Sequence, residues 1–277
     1  METSESPRKR KAWPVRLLVA LRRTIVQPTL VSELIAKVLW RNLDRFHISR
    51  IEEYQQYIQS SQQVVCKISG SEQSKWEEVL SEAEFVNGIE ESKARASELG
   101  INWQGGGADM HLLYGLCRLL QPKVVIETGV QDGWSSLMIL LALEKNGVGH
   151  LHSIDLPAFH PKAHQYTGIM VSEGLKHRWT LHLGPQRRIL PDLLSGLPKV
   201  DLFHYDSDKT YRGMYQTYSE VWPKLASGGV LVSDDLNNNA FLDFSDKHNV
   251  CPNVMYKNIK GRVLEVSTNC MGLIVRP

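Results

Sequence analysis

Cysteine is scarce in this chain of 277 residues. Its four cysteines (Cys66, Cys117, Cys251, Cys270) are widely spaced, with no C-x-x-C pair and no Cys/His ligand cluster. That density excludes a disulfide framework, and reduced, buried thiols are the expectation. Long apolar runs are lacking as well. None approaches the ~20 residues a spanning helix needs. The run Leu17–Leu21 is short, flanked by Arg16 and Arg22–Arg23, and leads to no small-residue cleavage pattern, so it does not read as a secretion signal. The expected location is cytoplasmic. There is also no large excess of one charge sign: a net charge of +2 leaves out a nucleic-acid partner.

An apolar content of 42% with 22% charged residues is ordinary for a soluble globular protein able to bury a full core. The charge is unevenly spread. Residues 1–23 carry seven cations against Glu2 and Glu5, a net +5, which leaves −3 for the rest. Two readings of this basic segment stay open. With Trp13, Leu17, Leu18 and Leu21 it could lie on an anionic membrane surface. Alternatively it is an arm and helix that pack on the catalytic domain or on a second subunit, making a homo-oligomer.

Apolar residues recur at helical spacing over Val15–Leu43, broken at Pro28, and further helical stretches are expected over Ile51–Gln63 and Glu72–Leu99, the last stopped by Gly100. After Gly105-Gly106-Gly107 the pattern changes. Asp109–Leu120 reads as an apolar helix, and short apolar runs then alternate with helices. The predicted strands are Val124–Glu127, Leu151–Asp155, Thr180–Leu183, Leu202–Tyr205, Val230–Ser233, Val254–Asn258 and Met271–Val275. Continuous apolar strands between helices imply a parallel sheet covered on both faces. The chain thus divides into a basic, mainly helical extension, 1–104, and a sheet domain, 105–277. Ligands of such sheets bind beyond the carboxyl ends of the strands.

The first strand ends in Glu127-Thr128-Gly129, and Gly133, Trp134 and Ser135 follow. The two glycines let backbone approach a ligand closely. Gln131 breaks the G-x-G-x-x-G dinucleotide fingerprint, and Glu127 would repel a phosphate while suiting a cationic amino-acid group. Asp155 ends the second strand, where an acid can accept both hydroxyl hydrogens of a ribose. Asp206 and Asp208 follow the fourth strand, and Asp234 and Asp235 the fifth. Carboxylates stacked at neighbouring tips repel unless a proton or a cation relieves them.

Together these residues resemble the class I S-adenosylmethionine-dependent methyltransferases, and within them the macrocin, mycinamicin and novobiocin-type sugar O-methyltransferases and the cephalosporin-hydroxylase-like proteins. The resemblance covers about Gly105–Pro277. It rests on Glu127/Gly129/Gly133, on Asp155, on Tyr205-Asp206-Ser207-Asp208-Lys209-Thr210-Tyr211, and on the P-x-L-x-x-G-G-x-x-x-x-D-D pattern from Pro223 to Asp235. It implies an α/β fold with a doubly wound, mostly parallel seven-stranded sheet. It implies S-adenosylmethionine bound by Glu127, Gly129, Gly133, Ser135, Asp155, Gln186 and Asp206, with Gln186 in the stretch that lines the adenine. It further implies Mg²⁺ held by Asp206, Asp234 and Asp235, with Asp208 as the base that takes a proton from a sugar, glycan or small-metabolite hydroxyl. Two positions depart from the group's pattern: Lys209 replaces a frequent His, and Ser207 a frequent Gly. Lys209 could pair with a carboxylate and weaken the metal site, or bind an acidic substrate.

Other features read as structural. His160 and His164 stand at i,i+4 with no third metal ligand, which favours a loop role. Two other functions compete with methyl transfer. An NAD(P)-dependent oxidoreductase is opposed by the broken glycine fingerprint. A non-catalytic binding or assembly protein that keeps the fold is opposed by the intact Asp208, Asp234 and Asp235.

Overall fold

The computed structural model describes residues 50–100, 109–156, 166–256 and 270–277, together with Ile35, Leu39, Trp40, Leu43 and Asp44. The basic tail, Gly105–Gly107 and the His160/His164 pair lie outside these residues.

A 3-10 turn, Ile51–Tyr57, leads into α1 (Ser61–Ser69), α2 (Gln73–Leu80) and α3 (Ala83–Glu98). The stretch expected to be helical over Ile51–Gln63 is therefore interrupted. Ile58 forms a bridge with Val254 and the Gln59 amide donates to the Val254 carbonyl at 2.8 Å, so this segment covers one edge of the sheet. Helix α1 then starts afresh at a capping box in which Ser60 and Gln63 satisfy each other's backbone amides. The single helix expected over Glu72–Leu99 is two, and Glu82 lies at the break. Its carboxylate accepts hydrogen bonds from Tyr114 Oη at 2.5 Å and from the Arg118 guanidinium at 2.7 and 2.5 Å.

Helix α4 (Met110–Leu120) is capped by Asp109, whose carboxylate accepts the His111 and Leu112 amides. The chain then alternates: β1 (Val124–Thr128), α5 (Trp134–Asn146), β2 (His150–Asp155), β3 (Trp179–Leu183), α6 (Gln186–Gly196), β4 (Val200–Tyr205), α7 (Tyr211–Val221), β5 (Leu225–Ser233), α8 (Ala240–Lys247), β6 (Asn253–Tyr256) and β7 (Cys270–Val275). All seven predicted strands are present. The fifth begins five residues earlier than expected, because its early half runs through Gly228-Gly229, next to a register irregularity against β4. The sheet order is β3-β2-β1-β4-β5-β7-β6, with β7 antiparallel to both neighbours and the other pairs parallel.

Strand alternation divides the core between two faces. Val125, Leu151, Leu202, Val230 and Val232 pack against α4 and α5; Ile126, Ile154, Phe203, Tyr205 and Leu231 pack against α6, α7 and α8. The helices of the extension belong to the first of these clusters. Val64, Val65, Trp76, Val79 and Phe85 are buried with α4 and α5, so packing runs continuously across the change in sequence pattern. Trp76 lies over Gly115, where an added Cβ would stand 2.2 Å from its ring. No helix among the described residues is long and apolar enough to cross a membrane.

Two predictions concern this scaffold. Trp76→Ala should destabilise the protein by about 3–5 kcal/mol in urea unfolding, as for other large core truncations; a change within about 0.5 kcal/mol, the range of ordinary surface sites, would mean that α2 contributes nothing to the common core. The second concerns His152 on β2, whose ring lies beside His150 and stacks on His182 at 5.7 Å. Burial, and then its two histidine neighbours, push the His152 pKa down to about 4. The unfolded chain takes up this proton near pH 6.5 and the folded chain does not, so stability is full above about 6.5 and falls as the pH drops towards about 4. Thermal melting across that window should show the loss, and His152→Gln should reduce it; an identical pH profile in the variant would contradict this assignment.

Candidate active site at the strand tips

The parallel register brings the tips of β1, β2, β4 and β5 together. Glu127 on β1 lies between Ser153 on β2 and His204 on β4, so three polar side chains form one row across an otherwise apolar face. Glu127 is fully buried. Its carboxylate accepts from Ser135 Oγ at 2.5 Å, from Ser136 Oγ, and from Ser153 Oγ at 2.9 Å, with His204 Nδ1 at 3.4 Å. Both Glu127 and Ser135, expected to meet a ligand, are here bonded to each other. Their geometry ties the first turn of α5 to the sheet beneath the loop.

The loop itself depends on two glycines. Gly129 has φ +89°, and a Cβ there would stand 1.9 Å from the Asp206 carbonyl oxygen; Gly133 has φ +92° and faces the Gly168 backbone at 2.8 Å. Only glycine allows these approaches. Asp155, at the tip of β2, accepts the Val130 amide at 3.1 Å. Burial raises its pKa, against the lowering effect of the Val130 and Gln131 amides. Gln186, the first residue of α6, donates to Thr217 Oγ1 at 2.7 Å and accepts from Ser207 Oγ at 2.5 Å, which joins it to the loop after β4.

Beyond β4 and β5, carboxylate oxygens of Asp206, Asp234 and Asp235 lie within 4.8 Å of one another. Asp234 is fully buried, and Asp235 has a left-handed backbone, φ +53°. Such backbone strain is concentrated at functional sites. Asp208 does not join this group. Its Oδ1 accepts the Thr210 amide at 3.0 Å and its Oδ2 lies 4.0 Å from the Arg187 guanidinium.

Residues 126–236 match a family described as a methyltransferase domain. No curated protein matches the chain by sequence. Among solved structures, the O-methyltransferase TomG from Streptomyces achromogenes, involved in tomaymycin synthesis and in complex with S-adenosylmethionine, aligns at 18% identity over 69% of this chain and 90% of its own, with a TM-score of 0.52. An O-methyltransferase from Bacillus cereus in complex with S-adenosylhomocysteine aligns at 12% identity over 69% and 91%, with a TM-score of 0.53. The fold is that of the class I methyltransferases.

In this methyltransferase fold the three acids already face a cation. Lys209 Nζ lies 2.5 Å from Asp206 Oδ1, 3.3 Å from Asp235 Oδ2 and 3.9 Å from Asp234 Oδ2. Burial lowers the pKa of its ammonium, but the three carboxylates outweigh burial and hold it above the usual lysine value. Two unit charges 4 Å apart interact by about 4 kcal/mol at an effective dielectric constant of 20, and a divalent ion doubles that. An ion bound by these acids would have to share their oxygens with the Lys209 ammonium. The donor set suits Mg²⁺ by its oxygen chemistry, and Lys209 already lies within 4 Å of each of its three acids.

The extension also reaches this end of the sheet, which the sequence reading did not anticipate. Tyr54 Oη donates to the Asn238 carbonyl at 2.8 Å, the Arg50 amide donates to Asn239 Oδ1 at 2.7 Å, and Arg50 Nη1 pairs with Asp243 and Asp246. Asp44 accepts the Tyr211 amide, and the Trp40 ring lies under the Arg187 guanidinium at 3.6 Å. Trp40, Leu43, Asp44, Tyr211, Arg212 and Tyr215 line a cavity of about 440 Å³. These partners lie more than 140 positions apart along the chain, so no local motif marks them.

The buried acid separates two roles. Glu127→Ala should cost about 3–5 kcal/mol of stability, because it removes the shared acceptor of three serine hydroxyls and leaves those buried donors without it. Urea unfolding checks this. Unchanged stability with lost ligand affinity would instead make Glu127 a direct ligand contact.

Proposed function

We propose that this protein is an S-adenosylmethionine-dependent methyltransferase that transfers the methyl group to a hydroxyl of a sugar, a glycan or another small metabolite. The observation that carries this reading is the cradle formed by Gly129, Gly133 and Asp155 at adjoining strand tips, in a segment that matches a methyltransferase domain. The bound S-adenosylmethionine and S-adenosylhomocysteine of the structural neighbours support the choice of cofactor. The broken dinucleotide fingerprint speaks against NAD(P).

In this reading Asp155 accepts the ribose hydroxyls, while the glycine loop admits the cofactor's amino-acid portion. Glu127 and Ser135 act through the position of that loop. Gln186 and Ser207 line the adenine side. Methyl transfer is an in-line displacement at the sulfonium carbon, so orientation is the main contribution required. The acceptor hydroxyl loses its proton as the new C–O bond forms and the C–S bond breaks, leaving S-adenosylhomocysteine. Asp208 is the proposed base, held in place by the Thr210 amide. Divalent-metal assistance would fall to Asp206, Asp234 and Asp235, the acids that Lys209 now contacts.

Calorimetry with S-adenosylhomocysteine tests the assignment. Asp155→Ala should weaken binding about tenfold or more, since charge-assisted hydrogen bonds contribute about 1.5–3 kcal/mol. Equal affinity in wild type and variant would remove Asp155 from the cofactor site.

A further inference from the structure

We infer that Lys209 is the resident cation of the acidic strand tips, standing where a divalent ion would otherwise bind, so that the protein transfers its methyl group without a metal. Three observations carry this. The first is distance: one ammonium lies within 4 Å of a carboxylate oxygen on each of Asp206, Asp234 and Asp235. The acids that could ligate an ion are the same acids that Lys209 contacts, with no second set among the described residues.

The second observation is how firmly both sides are placed. The Asp206 amide donates to the Thr128 carbonyl at 2.7 Å, and the Asp234 amide to the Tyr205 carbonyl at 2.8 Å, so both acids continue the ladders of their strands. The Lys209 carbonyl accepts from Asn238 Nδ2 at 3.1 Å, which binds the loop after β4 to the loop after β5. Asn238 is in turn held through its own carbonyl by Tyr54. Only about a quarter of the Lys209 side chain is exposed. This is a framed contact, unlike a surface ion pair between two long side chains.

The third is chemical. An ammonium presents three donors in tetrahedral directions and has no acceptor. Asp206 accepts from it at 2.5 Å and Asp235 lies at 3.3 Å, while Asp234, at 3.9 Å, is balanced by charge rather than by a hydrogen bond. Lys209 is thus a positioning residue: it relieves the repulsion among the acids and holds the Asp235 carboxylate at 3.3 Å.

The inference rests on the methyltransferase reading for its activity arm, but not for its binding arm. Electron paramagnetic resonance of free Mn²⁺ titrated with the full-length protein reads the site directly, whether or not an acceptor is known. Wild type should leave the free-ion signal unchanged. Lys209→Ala should remove signal in proportion to protein, and Lys209→Arg should behave as wild type. With an acceptor in hand, wild-type methyl transfer should be the same in EDTA as in Mg²⁺. Mn²⁺ uptake by wild type that is lost in Asp234→Asn, or loss of activity in EDTA, would overturn the inference. So would a folded Lys209→Ala that takes up no Mn²⁺. If Lys209→Ala does not fold, the wild-type titration and the Arg variant still decide. Calorimetry with S-adenosylhomocysteine reports separately on the cofactor, so a failure of the methyltransferase reading is distinguishable from a failure of this one.

Discussion

The approach of Gly129 to the Asp206 carbonyl is the constraint on which the site depends. No side chain fits between the two backbones, so the loop after β1 and the loop after β4 close against each other at the sheet's carboxyl edge. Asp155 reaches the Val130 amide because the loop turns sharply at Gly129, and Asp206 continues the β4 ladder because its amide finds Thr128. Glu127, directly beneath, binds the first turn of α5 to three strands at once.

Stacking acids at these tips carries an electrostatic cost that the structure offsets internally. Lys209 is three residues beyond Asp206, and its ammonium turns back to that carboxylate at 2.5 Å. The same loop is braced by Asn238, and Asn238 by Tyr54 of the extension. Charge balance, loop geometry and the packing of the N-terminal residues are therefore parts of one arrangement. The core repeats the pattern on a larger scale, since α1–α3 bury Trp76 and Phe85 in the cluster formed by α4 and α5.

Much of this was legible in the sequence, and the reasons differ by residue. The strands showed as apolar runs because a doubly covered sheet leaves no polar face. Gly129, Gly133 and Asp155 showed because backbone approach and strand-end acids depend on local sequence. The burial of Glu127 did not show: an acid at a strand end has the same local sequence whether it faces a ligand or the serines behind it. The register decides, by placing Ser153 and His204 beside it. The break at Glu82 was hidden for a similar reason, since its partners Tyr114 and Arg118 lie on another helix. Nor could the contacts of Trp40, Asp44, Arg50 and Tyr54 be read, because they span most of the chain.

The central claim is that these strand tips are built for an adenosyl sulfonium cofactor and not for a dinucleotide. Titration of the full-length protein with S-adenosylhomocysteine and with NAD, under identical conditions, tests it most directly. Saturable binding of S-adenosylhomocysteine and no heat from NAD is the predicted result. Saturable binding of NAD with none of S-adenosylhomocysteine would contradict it.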